Sequence, residues 1–474
     1  MKVMLIQPFK DTGFAANDSY PPVGLGFLAN YVRNRGFHVS ILDCIKSCRD
    51  MEDFICAVEN EKPDVVGFTL FTIAVPYVQK MIEILRRRFQ NIVIVLGGPH
   101  VSSLPERVMN QFPAANFAIR GEGEIPFLNL LENLRDGKHE LKSIPGLIFR
   151  LDGANKINNP IFPVNIEEYG YPAWDLIRPQ DYFGYMNVGP YSVPVFFSRG
   201  CPYPCTFCAA KVTSGQRLRK RTLDHIFEEL HLLISEYRIK RFIIEDEGFG
   251  TSKNFIMEFC NRVLSEKLNS TFSMGVGMRL DIIDEELLRK MKTSGFDELI
   301  ALGIESGSDR ILALMKKKTS KELIYKKVQL MDRCGFHPTA YMIIGYPGET
   351  REEIEMTIQM ALELPFREAS FTPFQPLPAT EATNMLLESG ELPKDYDFLA
   401  EKQNSITYAP KGMTLDEIEK IRKNAVLRFY LRPKIILHHL TSYRKVRYTL
   451  NKVYIIFFQN IRSRIINFFS ERKR

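Results

Sequence analysis

Val193-Pro-Val-Phe-Phe197-Ser-Arg-Gly200-Cys201-Pro-Tyr-Pro-Cys205-Thr-Phe-Cys208 is an apolar run that ends in a cysteine-bearing loop. The run reads as a buried strand, and the loop gathers thiols at spacings of three and then two residues. Thiolates are soft ligands suited to zinc or to an iron–sulfur cluster. A structural zinc site closes its tetrahedron with a fourth Cys or His at short spacing. The nearest candidates here, His225 and Cys260, are distant in sequence. Three ligands on a four-iron cluster would leave one iron open to bind something else. The loop by itself admits three readings: an open cluster, a zinc loop, or cysteines met by accident.

Working outward from the loop, short strand candidates recur at Arg241–Ile244, Thr271–Val276, Glu298–Leu302, Thr339–Ile344 and Ala369–Thr372, with helical stretches between them. With Val193–Phe197 they make six βα units, enough for a partial TIM-type (β/α)6 barrel. Such barrels gather functional groups where the strands end. Polar segments stand at those ends: Glu245-Asp-Glu247-Gly-Phe249, Gly277-Met-Arg279-Leu-Asp281, Gly303-Ile-Glu305-Ser306-Gly307 and Gly345-Tyr-Pro-Gly348-Glu-Thr350. Each has a bland reading as well: a solvated acidic loop, a surface pair of Arg279 with Asp281, or a capping box of Thr350 with Glu353.

Residues 1–148 alternate apolar runs at Val3–Ile6, Val39–Leu42, Val65–Leu70, Ile92–Leu96 and Ala118–Ile119 with amphipathic stretches. That alternation predicts a doubly wound, Rossmann-like parallel sheet, whose ligands bind beyond the strand ends. The loops there are Pro21-Pro22-Val-Gly24-Leu-Gly26, Gly97-Gly98-Pro-His100 and Arg120-Gly-Glu122-Gly-Glu124. Glycine lets a ligand come close to the backbone, and it also simply makes turns. Residues 149–190 read as a connector holding the only tryptophan, Trp174. Interdomain packing and contact with a cofactor are both open to that ring. The barrel is expected over 191–400, and a helical C-terminal region over 401–474 that includes Leu415–Leu431.

Composition limits the classes available. Hydrophobic residues at 45% and charged residues at 25% of 474 suit a folded chain of two or three domains. Eight cysteines do not make a disulfide scaffold, and the five outside the triplet read as buried small hydrophobes. The apolar start before Gln7-Pro8 is too short for a signal peptide, so a reduced, cytoplasmic setting is expected. Residues 431–474 hold eleven Lys and Arg against one Glu, a net of +10, which leaves −3 for residues 1–430. The body therefore carries no nucleic-acid footprint. Tyr454, Phe458, Ile461, Ile465 and Phe468 fall at helical spacing with basic flanks, too interrupted to span a bilayer. Two readings of that stretch stand: peripheral contact with the inner face of an anionic membrane, or packing on the protein's own body.

The Cys-x3-Cys-x2-Cys loop with the strand-end segments behind it, in this order over residues 193–375, resembles the radical S-adenosylmethionine (SAM) enzymes. The first half, through Pro-Pro-x-Gly-Leu, Val65–Thr69, Gly97–His100 and Arg120–Glu124, resembles the cobalamin-binding domain in front of many of them, as in class B methyltransferases and anaerobic Mg-protoporphyrin cyclase-like enzymes. The resemblance implies a [4Fe-4S] cluster on Cys201, Cys205 and Cys208. It implies SAM contacts by Phe207, Asp246, Glu247, Arg279, Glu305, Ser306 and Gly345, and cobalamin contacts by Pro22, Gly24, Thr69, Gly97, Gly98 and His100. The Asp-x-His-x-x-Gly motif that supplies a histidine to cobalt in other cobalamin folds is absent, so the cofactor is expected to sit without that ligand. The implied chemistry is reductive cleavage of SAM to a 5′-deoxyadenosyl radical, followed by cobalamin-dependent methylation of an unactivated carbon. Cyclisation or oxidation on the same architecture is the alternative, and a zinc-stabilised module on a membrane surface is a third reading. Implied partners are a small-molecule or lipid-like substrate and a reductant such as flavodoxin or ferredoxin.

Overall fold

The computed structural model describes residues 1–9, 20–138, 140–182, 191–400 and 406–441. The stretch Tyr454–Phe468, read above as an amphipathic tail, lies outside the described residues.

Five strands of the first half lie parallel: β1 (Lys2–Gln7), β2 (His38–Asp43), β3 (Val65–Thr69), β4 (Val93–Gly97) and β5 (Phe117–Ile119). Strand alternation sends Val3 and Leu5 of β1 into one core and Met4 and Ile6 into another, so both faces of the sheet are covered. The sheet then runs on through an antiparallel hairpin, β6 (Leu147–Leu151) and β7 (Ala154–Ile157), in the order β2-β1-β3-β4-β5-β6-β7. The sequence reading ended this sheet at 148 and gave the hairpin to the connector. Its signal was present: Asp152-Gly153 between two β-capable runs is a hairpin turn, and both residues have positive φ, 52° and 75°.

The second half forms a six-stranded parallel sheet. Its members are β8 (Ser192–Val195), β11 (Arg241–Ile244), β12 (Thr271–Met278), β13 (Phe296–Glu305), β14 (His337–Ile344) and β15 (Glu368–Pro373), in the order β15-β14-β13-β12-β11-β8. The two end strands do not pair, which makes this a partial barrel. Between β8 and β11 a small antiparallel pair, β9 (Ser198–Arg199) with β10 (Arg219–Lys220), brackets the cysteine loop. Helix Leu415–Tyr430, started by a capping box of Thr414 and Glu417, packs on the far edge, where the Tyr430 hydroxyl donates to Ala369 O at 3.0 Å.

The connector welds the halves together. Trp174 is buried, and its Nε1–H donates to Glu229 on helix Leu223–Tyr237 at 2.9 Å, so packing between domains is its role here. Ile177 presses on helix Val23–Arg33 where residue 26 has no side chain: a Cβ on Gly26 would lie 2.3 Å from Ile177 Cδ1. One hydrophobic core consequently runs from β1 through the connector into the barrel. Of the cysteines outside the triplet, Cys44 and Cys260 are buried as expected, whereas Cys56 is exposed, on the outer face of helix Met51–Glu61.

Candidate functional site

Residues 200–218 leave the barrel as an excursion whose base is the β9–β10 pair. Gly200 makes the turn at its start with φ +81°, and an added Cβ would meet Arg217 O at 2.4 Å, so no other residue fits. Cys201 N–H donates to Gly215 O at 3.3 Å, while Thr206 is tied to Met315 O at 3.1 Å and to the Tyr346 hydroxyl at 2.7 Å. Cys201, Cys205 and Cys208 are partly buried free thiols, and burial pushes all three up from the ordinary thiol range. Such thiols become ligands by surrendering their protons to a metal. Among the described residues no three His, Cys, Asp or Glu side chains converge closely enough to hold one metal ion. On that geometry the three thiols do not form a closed tetrahedral zinc site, and thiolates on one short loop are the donors an iron–sulfur cluster takes.

Two cations stand beside the loop. The Arg279 guanidinium stacks 3.5 Å from the Tyr203 ring centroid, pairs with Asp281 at 2.9 Å and donates to the carbonyls of Lys317 and Lys318 at 3.1 and 3.2 Å. Three of its five N–H donors are taken by Asp281 and these carbonyls, which braces the cluster loop and leaves two donors for other partners. Lys317 is the second cation. Its Nζ donates to Glu305 Oε1 at 2.7 Å and lies 6.0 Å from the Phe207 ring centroid. Burial works against the Lys317 charge, but Glu305 and Cys205 outweigh it and hold its pKa above the usual lysine value. Glu305, Lys316 and Lys318 all have left-handed backbone, with φ of 64°, 52° and 54°. Strain of this kind in non-glycine residues gathers at functional sites. The sequence reading missed Lys317 because Lys316-Lys317-Lys318 looks like a solvated basic run.

The acids after β11 separate by environment. Asp246 is buried and accepts from Phe197 N, Ser198 Oγ, Gly248 N and Phe249 N at 2.5–3.2 Å. These four bonds make it a staple between two strand ends. Glu245 accepts from the Tyr20 hydroxyl at 2.9 Å, and Glu247 from Ser214 Oγ at 3.3 Å. Burial raises the pKa of both. Ser306 is fully buried and shares Thr357 with Gly307, where a bare backbone lets helix Arg351–Glu363 approach. Gly345 opens the β14 turn, and its N–H donates to Glu349 at 2.6 Å. Phe207 packs beside Tyr346 at the edge of the Ile311–Met315 cluster.

A cavity of about 640 Å³ lies between the halves, within the 300–1,000 Å³ usual for cofactor pockets. The first domain contributes Pro22, Gly24, Thr69, Gly97 and Gly98, and the barrel contributes Phe196, Arg199, Ser214, Glu245 and Glu247. His100 does not reach it. The ring is buried with Nδ1 against Thr72 Oγ1 at 3.1 Å and Nε2 against Gln111 Oε1 at 2.9 Å. Both nitrogens are occupied, and burial lowers its pKa, so it is a neutral core histidine. The described lining of the cavity contains no histidine. The walls fit a flat, amide-fringed ring: glycine backbone at the strand ends and apolar side chains from Phe68, Phe71 and Phe127.

A doubly wound domain set over a partial barrel, with a cysteine excursion at their junction, defines a class of two-cofactor enzymes. The B12 binding domain model matches residues 11–131, and the Radical SAM superfamily model matches residues 195–361. An uncharacterized methyltransferase of Pyrococcus horikoshii is 32% identical over 447 residues, covering 92% of this chain and 94% of that protein. The anaerobic magnesium-protoporphyrin IX monomethyl ester cyclase of Rubrivivax gelatinosus is 25% identical over 94% of this chain and 80% of its own. The methyltransferase TsrM from Kitasatospora setae, solved with cobalamin and a [4Fe-4S] cluster bound, has the same fold: TM-score 0.70 at 19% identity, over 89% of this chain and 84% of that one. The chain belongs to the radical SAM superfamily, among the members that carry an N-terminal B12-binding domain. Its cofactors are accordingly a [4Fe-4S] cluster, SAM and cobalamin.

Proposed function

We propose that this enzyme transfers a methyl group to an unactivated carbon of a small or lipid-like substrate. The observation that carries this reading is the shared cavity: the ends of β3 and β4 and the base of the cysteine excursion line one space. When bound there, the cluster would supply the electron that splits SAM to a carbon radical, and cobalamin a transferable methyl. Cys201, Cys205 and Cys208 would hold the cluster from one short excursion. Lys317 and Arg279, the two cations beside the cysteine loop, would meet the SAM carboxylate. Glu247, a carboxylate on the cavity wall, would take the SAM ammonium, and Glu305 would keep Lys317 oriented. Phe207, Tyr346 and the Gly345 turn would wall the adenine. Pro22, Gly24, Thr69, Gly97 and Gly98 would carry the corrin, and the phenylalanines around it keep water from a radical.

The likeness to the cyclase supports a second reading, ring formation or oxidation on the same site. Enzymes of this superfamily need a reductant, and a small one-electron carrier such as flavodoxin or ferredoxin would serve. The test is anaerobic reconstitution followed by iron, sulfide and cobalamin analysis, then incubation with SAM and reductant. Bound iron, retained cobalamin and release of 5′-deoxyadenosine are expected. Protein that never retains cobalamin would overturn methyl transfer in favour of the second reading. Bound zinc without iron would overturn both.

A further inference from the structure

The excursion that carries the three cysteines has two arms at its base, and each arm sends an arginine into the same loop of the other domain. Arg199, on β9 next to Gly200, pairs with Glu124 at 2.6 Å and stands 3.7 Å from Glu122. Arg219, on β10, pairs with Glu122 bidentately at 2.6 and 2.8 Å and donates to Ser214 O and Pro163 O. The array is buried and balanced, two guanidinium groups against two carboxylates. Aromatic groups fix its shape: the Arg199 guanidinium lies 5.2 Å from the Phe27 ring centroid and 4.8 Å from that of Tyr169, whose hydroxyl donates to Glu122 at 3.2 Å.

Arg199, Glu122 and Glu124 also line the interdomain cavity, with Gly121 before the acids and Gly123 between them. One short loop is therefore both a wall of the cavity and the anchor of the excursion. A ligand filling the cavity would remove water from the open side of these pairs, and charge pairs strengthen as the local dielectric falls. Bidentate arginine geometry makes the strengthened contact directional as well.

We propose that Glu122, Glu124, Arg199 and Arg219 form a positioning array that couples filling of the first-domain cavity to placement of the cysteine excursion. This rests on reading that cavity as the cobalamin site. Linkage then works both ways, so whatever settles the excursion also tightens the cavity for its ligand.

Hydrogen exchange read by mass spectrometry on the full chain, reconstituted with iron and sulfide, tests the coupling. The variants are Arg199→Lys, which keeps the charge and loses the fork, and Glu124→Gln, which keeps the shape and loses the charge. Without cobalamin, residues 200–218 should exchange about tenfold faster in both, the usual size of such couplings, while β1 and β3 exchange as in the wild type. Adding hydroxocobalamin should slow exchange of 200–218 in the wild type. In variants that still take up the cofactor the slowing should vanish, a result that loss of simple interdomain glue would not give. Unchanged exchange of the excursion in both variants overturns the array as an anchor. Equal cobalamin protection in wild type and variants overturns the coupling. A wild type that takes up no cobalamin overturns the proposed cofactor and the coupling with it, while exchange in the unliganded variants still decides the anchoring.

Discussion

Lys317 and Glu305 are the pair whose removal separates a functional reading of the site from a decorative one. Losing one member of a buried pair strands the other charge and costs about 3–5 kcal/mol, whereas losing both costs less. Lys317→Met should lower stability by about 3 kcal/mol in chemical denaturation and weaken SAM binding; adding Glu305→Gln should restore stability but not SAM affinity. The cysteines divide in the same spirit. Serine at Cys201, Cys205 or Cys208 should abolish bound iron and the visible absorbance of the reconstituted protein, and serine at the exposed Cys56 should leave both intact. Glu349 supplies a pH test. Burial lifts its carboxyl to about 8, although Gly345 and Tyr346 donate to it. The unfolded chain releases that proton near pH 4.3, and the native one holds it to about pH 8, so the stabilisation is complete below the lower value and is lost as pH rises through the higher. Wild-type Tm should fall between pH 6 and 9, and Glu349→Gln should flatten that slope.

At the scale of elements, the strands were legible because a parallel strand buried on both faces must be a continuous apolar run, as Val65–Phe68 and Phe242–Ile244 are. The hairpin Leu147–Ile157 was not read because one of its strands, Ala154–Ile157, is short, half polar and without a buried residue, with only its turn to announce it. Helix Val23–Arg33 yields a further prediction. Gly24 opens it, lines the cavity, and would set an added Cβ in open space with no atom within 4 Å. Replacing glycine inside a helix recovers up to about 1 kcal/mol. Gly24→Leu should therefore leave Tm unchanged or higher while reducing cobalamin retained through gel filtration.

Across the whole molecule, the basic excess belongs to the residues after 430, and the body is close to neutral. Among the described residues no helix is long and apolar enough to cross a membrane. Deleting residues 452–474 should leave iron content unchanged and shift protein from the membrane to the soluble fraction; unaltered fractionation would assign the tail to packing on the body. What the chain determined by itself was the set of local pieces. Strand periodicity, the cysteine spacing and the order of polar strand ends follow from short-range geometry, and they are enough for the class of fold and the family. Which partner each polar residue takes was decided only by the tertiary structure. Asp246, Ser306, Arg279 and His100 each bond a partner far off in sequence or across a turn that their own segments do not announce. Lys317, hidden in a run of three lysines, pairs with Glu305 beside the cysteine loop. A buried polar group must find a partner, and long-range packing chooses which one.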